Sequence, residues 1–404
     1  MVWTSNGSSG GDASYSSTQA QRYASNGSTL GAQFQVNTYT TGLQYHTSVA
    51  ADADGDFVVV WQSYSLATPT LRIIQGQRYA SNGSTQGTEF QVSVYTTTSP
   101  WNPSVAADAD GDFVVVWQEY LLPPPVHLVI FGRRYASNGS TLGAHFQVNS
   151  DTTRSSRDSS VAVDPAGNFV VVWRSSGSSE TDTSSSSIQG QRYASNGSAQ
   201  GAQFQVNTYT TNAQESPAVA TGFDGDFVVA WQSNGSSGAD SSSFSTQGQR
   251  YASDGSTQGA QFQVNTYTTN AQESPAVATG FDGDFVVAWQ SNGSSGTDSS
   301  SFSTQGQRYA SDGSTQGEEF QVNTYTTQSQ QIPSVASGAD GNFVVAWRSN
   351  GSPGTDTSGS SVQGQRYSVP ATETAVPALS RATRFALAAV LLLLGARWSM
   401  RRRG

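Results

Sequence analysis

The segment QRYASNGSTLGAQFQVN, from Gln21 to Asn37, recurs along this 404-residue chain with small changes. Its arginine stands at seven positions, 56 or 58 residues apart: Arg22, Arg78, Arg134, Arg192, Arg250, Arg308 and Arg366. The tryptophan that ends an FVVVW-type run keeps the same phase, and a shorter VW ends at Trp3. Self-similarity at a fixed period predicts a repeat architecture in which neighbouring units share a core.

Each repeat contains four short strand candidates, which we denote A to D. Strand A contains SVA, B contains FVVVW, C contains QRY and D contains FQV, as in Pro103–Ala106, Asp112–Trp117, Gln75–Ala80 and Glu89–Val94. Asp-Gly joins A to B and Asn-Gly joins C to D, and both dipeptides favour tight hairpins. A long loop, usually rich in Ser and Gly, follows B. A connector such as NTYTTNAQES leads from D to the next A.

One such sheet cannot bury both of its faces, so the copies must pack face to face. Radial packing, with the D-to-A connector crossing from an outer edge to the next inner edge, predicts an all-β fold, a β-propeller of four-stranded antiparallel blades. A right-handed solenoid is the competing arrangement. In its repeats the body resembles bacterial β-propeller repeat proteins.

The number of blades follows from counting strands. B and C occur seven times, whereas A and D occur six times, which favours seven blades. The alternative has six blades, with Phe34–Val36 closing the last and residues 1–30 left over. Seven complete blades would need a D and an A strand before Met1, so we expect the natural chain to begin earlier.

Composition limits the classes of partner and chemistry. The chain has no cysteine, which excludes disulfides, thiol nucleophiles and thiolate metal sites. All 19 basic residues are arginine, and residues 1–370 carry 28 acidic against 13 basic residues. An acidic body lacks the clustered positive charge that binds phosphate backbones, so we expect no nucleic-acid partner.

Three segments are predicted: the propeller of 56–58-residue repeats at 1–368, a Pro/Thr linker at 369–380, and a hydrophobic helix with an Arg-rich end at 381–404. The linker ends in the motif Val376, Pro377, Ala378, Leu379 and Ser380. The expected membrane-anchor residues are Phe385, Leu387, Val390, Leu391, Leu394, Arg401, Arg402 and Arg403. The uninterrupted apolar run is short for a bilayer span, but Arg384 and Arg397 could snorkel at its two ends.

This tail resembles the PEP-CTERM and IPTL-CTERM protein-sorting signals of Gram-negative bacteria. The likeness covers the Pro-containing motif, the hydrophobic helix and the terminal arginines. It implies export, anchoring in the inner membrane by the helix, and recognition by a sorting transpeptidase of exosortase type. The protein would then reach the cell surface or the medium. MVWTSNGSSGG, at the start, lacks the basic and apolar regions of the signal peptide that such proteins carry.

The DADGDF turns place carboxylates at alternate positions, which suits a hard cation such as calcium. The six candidates are Asp52, Asp54, Asp56, Asp108, Asp110 and Asp112. These turns resemble the Asp box of sialidases and the calcium loops of integrin-type blades. Later copies lose carboxylates, as in DPAGNF and ADGNF. We therefore expect no cofactor and plain hairpin turns, with a calcium site as the alternative.

Departures from the repeat indicate where a ligand could bind. The B–C loops at Tyr64–Ile74 and Glu119–Phe131 are apolar rather than rich in Ser and Gly. Because B–C loops and D–A connectors share one face of a propeller, their side chains can converge. The candidate ligand residues are Tyr45, His46, Tyr64, Arg72, Trp101, Tyr120 and His127. The alternative is that these loops have diverged in sequence without binding a ligand, and that their side chains pack only on each other.

Three functions remain open. The first is a non-enzymatic, exported binding or adhesion scaffold for carbohydrate, protein or matrix material. The second is a propeller enzyme of the glycoside-cleaving type, which near-identical blades disfavour because catalysis needs an asymmetric set of acid and base. The third is a purely structural surface or matrix repeat. We predict no catalytic residues and a structural role for the repeated arginines, over a Trp of a neighbouring sheet or beside an Asp of a turn.

Overall fold

A computed structural model describes residues 1–6, 16–40, 42–64, 71–94, 99–121, 127–176, 185–235, 240, 243–293, 296–298, 301–351 and 359–369. These residues form 26 strands and the turns between them, and they include no helix. Met1–Tyr367 is one compact unit and Ser368–Gly404 is a second. The predicted sorting motif and hydrophobic helix lie outside the described residues.

The strands form seven antiparallel sheets, the blades. Blade 1 comprises β1 (Val2–Ser5), β2 (Ser17–Tyr23) and β3 (Thr29–Gln35). Blade 2 comprises β4 (Gln44–Ala51), β5 (Phe57–Tyr64), β6 (Arg72–Tyr79) and β7 (Thr85–Gln91). Blade 3 comprises β8 (Trp101–Ala107), β9 (Phe113–Leu121), β10 (His127–Tyr135) and β11 (Phe146–Gln147). Blade 4 comprises β12 (Ser156–Val163), β13 (Phe169–Ser175), β14 (Ser187–Tyr193) and β15 (Ala199–Gln205).

The remaining blades repeat this pattern. Blade 5 comprises β16 (Gln214–Thr221), β17 (Phe227–Asn234), β18 (Phe244–Tyr251) and β19 (Phe262–Gln263). Blade 6 comprises β20 (Gln272–Thr279), β21 (Phe285–Asn292), β22 (Phe302–Tyr309) and β23 (Phe320–Gln321). Blade 7 comprises β24 (Gln330–Ser337), β25 (Phe343–Asn350) and β26 (Ser360–Tyr367).

Strand order within each complete blade is A-B-C-D, and each A strand lies beside the A strand of the next blade. The A strands therefore surround the central axis, and the fold is a seven-bladed β-propeller, as the strand count predicted. Neither the solenoid nor the six-bladed alternative fits, because residues 1–30 contribute to a blade of their own. Within the described residues, blade 1 lacks strand A and blade 7 lacks strand D.

The hydrophobic core lies between blades. At the interface of blades 2 and 3, Val60, Ile74 and Val92 pack against Trp117 and Tyr135 of the next blade. Trp117 is completely buried, as are its counterparts in blades 2, 4, 5 and 6. Truncating a buried tryptophan of this kind to alanine typically costs about 3–5 kcal/mol. The recurring apolar run of strand B thus forms the shared core of adjacent units.

In blades 2 to 6, a glycine two residues before the repeated arginine accommodates the phenylalanine of strand D. A Cβ atom on Gly76 would lie 2.7 Å from the ring of Phe90, and one on Gly306 would lie 2.6 Å from that of Phe320. A Cβ at these glycines would require the ring to shift, and blade 1 accommodates one at the equivalent position, where Ala20 lies opposite Phe34. The Gln-Gly-Gln-Arg-Tyr and Phe-Gln-Val motifs therefore belong to one packing unit.

The repeated arginines join each blade to the next one. The guanidinium of Arg192 donates to the carbonyl oxygen of Ser253 at 2.7 Å, and that of Arg250 donates to Ser311 at 2.6 Å. Both acceptors lie in the C–D turn of the following blade. Arg366 of blade 7 likewise reaches the turn glycine of blade 1, where a Cβ on Gly27 would lie 2.9 Å from its Cδ. This contact joins blade 7 to blade 1. For Arg192 and Arg250 the hydrogen-bond acceptors are backbone carbonyls, and Asp254 and Asp312 of the same turns also interact electrostatically with these two arginines, as expected for an Asp of a turn.

Each A strand contains a β-bulge at its start, next to the axis. The bulged residue has a positive φ of 51–55° although none is glycine: His46, Asn102, Asp158, Ser216, Ser274 and Ile332. In blade 4 the bulge is held by a glutamine of the preceding blade, since Gln118 Oε1 accepts from the N–H of Asp158 at 2.9 Å. Gln232 and Gln290 hold Ser274 and Ile332 in the same way.

Candidate functional site

Six of the seven sequence-predicted ligand residues meet on one face of blades 2 and 3. The ends of β5 and β9 and the starts of β4, β6 and β8 lie at this face, because B–C loops and D–A connectors leave the sheets there. We call the following six residues the aromatic cluster: Tyr45, His46, Tyr64, Arg72, Trp101 and Tyr120.

On blade 2, the bulge of β4 positions the first two members. The rings of Tyr45 and His46 have centroids 4.9 Å apart, and Gln62 Nε2 donates to the Tyr45 hydroxyl at 2.8 Å. Tyr64 hydrogen-bonds Tyr45. Tyr64 also pairs in register with Arg72 across β5 and β6.

Arg72 connects the two blades. Its guanidinium carbon lies 5.6 Å from the ring centroid of Trp101, within the range of a cation–π contact. Trp101 in turn meets Tyr120 edge to face, with centroids 5.1 Å apart. Trp101 is half-buried and Tyr120 is 40% exposed, so the cluster presents ring surface to solvent. The out-of-phase tryptophan and the two unusual loops therefore form one surface.

The charges around the cluster set its protonation. Burial lowers the pKa of His46, and Arg72 lowers it further, whereas Asp158 opposes the shift. Burial raises the pKa of Tyr45, with Arg72 acting against it. Around neutral pH, His46 is therefore uncharged and Tyr45 carries its proton. Arg72 is then the charged donor of the cluster, accompanied by tyrosine hydroxyls and an imidazole.

His127, the seventh predicted residue, begins β10 opposite Leu121. Among the described contacts, no ring contact joins His127 to the aromatic cluster. Residues 65–70 and 122–126, the central parts of the two unusual loops, lie outside the described residues.

Beside the cluster lies an ion-pair group that sequence reasoning missed. Arg174 bonds Glu215 at 3.0 Å and lies 3.8 Å from Asp158. Arg174 takes the place that glutamine has in Gln62, Gln118, Gln232 and Gln290. Gln232 and Gln290 also donate to the glutamate opposite them on the adjacent strand A, Glu215 and Glu273. The Gln-to-Arg change at a repeat position was the signal that could have revealed this group.

Glu119 is a second group that the sequence analysis did not single out as a site. It is completely buried, accepts from Trp117 Nε1 at 2.8 Å, and has a pKa that burial raises to about 7. In blades 5 to 7 the tryptophan instead donates to a glutamine at the start of strand A, as Trp231 does to Gln214 at 3.0 Å. Blade 3 has buried Pro100 at that position. Glu119 thus replaces the missing acceptor, and its burial gives it a structural role.

The aspartates of the calcium hypothesis bond to backbone groups. Asp52 Oδ1 accepts from the N–H groups of Asp54 and Asp56, and Asp108 does the same for Asp110 and Asp112. The last aspartate of each turn bonds the C–D turn, as Asp56 Oδ1 does to Ser81 N–H at 2.8 Å. In the part of the chain that the structure describes, no three acidic or histidine side chains are grouped to hold a metal. The carboxylates close the turns and link two hairpins of one blade.

No family model and no curated protein matches the chain. A protein of unknown function from Dyadobacter fermentans superposes on it with a TM-score of 0.51, over 80% of this chain and 93% of its own, at 9% identity. The two proteins share a fold. A Hadza microbial sialidase gives 0.49 over 75% of this chain and 63% of its own, at 8% identity. The GH93 α-L-arabinofuranosidase of Fusarium graminearum gives 0.47 over 75% and 87%, at 13% identity. Similarity at this level concerns architecture and carries no activity to this chain.

No helix in the described ranges is long and apolar enough to cross a membrane.

Proposed function

We propose that the protein is a non-enzymatic binding scaffold, and that the aromatic cluster is its ligand site. The observation that carries this proposal is the convergence of residues from five strands of two blades on one exposed surface. Each of these residues departs from the repeat, and together they supply four aromatic rings, counting the His46 imidazole apart, and one arginine. A purely structural ring would not require aromatic side chains to gather on an exposed face.

Carbohydrate is the ligand class that suits the cluster best. Tryptophan and tyrosine rings offer apolar faces with polar edges, which match the two kinds of surface on a sugar ring. Arg72 and the hydroxyls of Tyr45 and Tyr64 supply hydrogen bonds beside those faces. A flat apolar patch without these donors would instead suit a protein surface.

We propose further that the chain is exported and held in the inner membrane by the segment 381–404 until an exosortase-type transpeptidase acts near Val376–Ser380. The support is the resemblance of the tail to protein-sorting signals. Fractionation and intact-mass measurement of the protein expressed from its own locus test this proposal. A full-length cytosolic chain would contradict it.

The ligand proposal is tested on a glycan array with the full chain and with Tyr64→Ala, Trp101→Ala and Tyr120→Ala. Phe223→Ala is the matched control, because Phe223 is 52% exposed in an A–B turn on the opposite face. We expect the three cluster variants to lose at least about tenfold in affinity and the control to keep it. Equal binding by all four variants would refute the site, and absence of binding by the wild type to any glycan would refute the ligand class.

A further inference from the structure

The ion-pair group beside the aromatic cluster contains a carboxylate that is open to a ligand. Asp158 Oδ2 lies 3.8 Å from Arg174 Nη1, which is longer than a hydrogen bond, and the Asp158 side chain is 39% exposed. Among the described residues, no donor forms a hydrogen bond with this carboxylate. An ionised carboxylate can accept several hydrogen bonds through its two oxygens. Asp158 therefore has acceptor capacity available at the surface.

Asp158 lies next to the aromatic cluster. It occupies the bulge at the start of β12, and β12 neighbours β8, which begins with Trp101. Trp101 pairs in register with Gln118, whose Oε1 accepts from the N–H of Asp158 at 2.9 Å. A single side chain thus separates the tryptophan from the aspartate. Asp158 is also close enough to His46 of the cluster to oppose the lowering of the His46 pKa.

Two substitutions in blade 4 distinguish this group from its counterparts. In blades 5 and 6, the glutamine at the position of Arg174 donates to a glutamate on strand A of its own blade. In blade 4 that glutamate is replaced by Arg157, which pairs in register with Arg174. Like charges directly opposite each other repel, so Arg174 has no partner there and instead bonds Glu215 of the next blade at 3.0 Å. Arg174 attracts Asp158 while leaving its oxygens without a hydrogen bond.

We propose that Asp158 is a specificity-determining residue of the carbohydrate site, and that its carboxylate accepts from two adjacent hydroxyl groups of a neutral sugar residue. This inference rests on the proposed function of the aromatic cluster. The ligand is an oligosaccharide rather than a single sugar. One sugar ring packs against Trp101 and Tyr120, and the next presents its hydroxyl groups to Asp158 on the neighbouring blade.

The charges of the group favour a neutral ligand. Arg157 and Arg174 balance Asp158 and Glu215, so the four side chains together carry no net charge. An acidic sugar would place its carboxylate against that of Asp158, and an amino sugar would place its ammonium group near the two arginines. A hydroxyl group meets neither repulsion and donates to the carboxylate in a charge-assisted hydrogen bond. Two adjacent hydroxyls can use both carboxylate oxygens of Asp158.

The test measures binding of the full chain to a neutral oligosaccharide, taken from the glycan array, by isothermal titration calorimetry. Asp158→Asn removes the charge, and Asp158→Ser removes the carboxylate. Both replacements suit the backbone, because Asn102 and Ser216 occupy the equivalent bulges at φ of 55° and 51°. We expect each variant to bind about tenfold to a hundredfold more weakly, with unchanged far-ultraviolet circular dichroism. Ser274→Asn, at the bulge of blade 6, is the matched control and should bind as the wild type does.

Deoxy analogues of the same oligosaccharide identify the hydroxyl groups. An analogue that lacks a hydroxyl bound by Asp158 should bind the wild type at least about tenfold more weakly, but should bind Asp158→Ser as well as the parent sugar does. Wild-type affinity of both Asp158 variants, or equal losses for every analogue in the wild type and in Asp158→Ser, would overturn the inference. If Trp101→Ala still weakens binding in that case, the proposed function stands without Asp158. Absence of glycan binding by the wild type would refute the proposed ligand class and the inference with it.

Discussion

Replacing Glu119 by glutamine should change how the stability of the propeller depends on pH. The carboxyl is fully buried, and its pKa rises from 4.5 to about 7 in the folded protein. Because the folded state holds the proton more tightly than the unfolded state, the stabilisation is complete below about pH 4.5. It is lost as the pH rises through 7, and the size of this loss is about 3 kcal/mol.

Glutamine keeps an oxygen that can accept from Trp117 Nε1 but has no proton to lose. The difference in unfolding free energy between Glu119→Gln and the wild type should therefore move by about 3 kcal/mol in favour of the variant between pH 4.5 and pH 8. Urea unfolding followed by tryptophan fluorescence measures this difference at each pH. The other titrating groups are common to both proteins and cancel in the comparison. A difference that stays constant with pH would show that Glu119 has the same pKa in the folded and unfolded states and would refute the reasoning.

Three further predictions concern the repeat itself. The double variant Pro100→Gln, Glu119→Ser gives blade 3 the glutamine that accepts from the tryptophan in blades 5 to 7. Its free energy of unfolding in urea should therefore exceed that of Glu119→Ser alone by about 1–2 kcal/mol. Equal stability of the two variants would contradict the acceptor exchange. Ile332→Asn should raise the free energy of unfolding by about 1 kcal/mol in the same assay. Ile332 is 62% exposed and has a φ of 53°, which strains isoleucine and which asparagine tolerates. A loss of stability would contradict the presence of this backbone strain. Arg250→Ala should destabilise by about 1–3 kcal/mol through lost hydrogen bonds to the next blade, with exposed Arg154→Ala as the control.

The strands and their order could be predicted from the sequence because the same pattern of apolar runs and turn dipeptides recurs in successive repeats. An apolar run such as Phe113–Trp117 between turn dipeptides fixes a buried strand, and the lengths of the connectors fix which strands are neighbours. The number of blades followed from the same count. These features are local or periodic, and both kinds of information are present in one sequence.

The partners of individual side chains could not be predicted in this way. The arginine of QRY donates to a backbone carbonyl of the next blade. Every residue has a backbone carbonyl, so the sequence does not show which one accepts the bond. The left-handed bulge at His46 was equally hidden, because the six bulged residues are chemically unlike one another. At Asp158, Ser274 and Ile332 the bulge N–H donates to a glutamine of the preceding blade, and this contact depends on the curvature of the ring.

The candidate site lies between these cases. Departures from the repeat identified Tyr64, Trp101 and Tyr120, and the propeller topology placed them on one face. The contact between Arg72 and Trp101 depends on the angle between neighbouring blades, and the spacing of residues in the sequence does not determine this angle. Glu119 and Pro100 depart from the repeat together, so comparing blades position by position would have found that pair.

The arginine contacts between blades also bear on how the ring opens. Each one joins neighbours only, so the ring behaves as a series of coupled units. Losing one such contact loosens one interface and leaves the others in place. Amide hydrogens should therefore exchange in groups that correspond to whole blades rather than all at once.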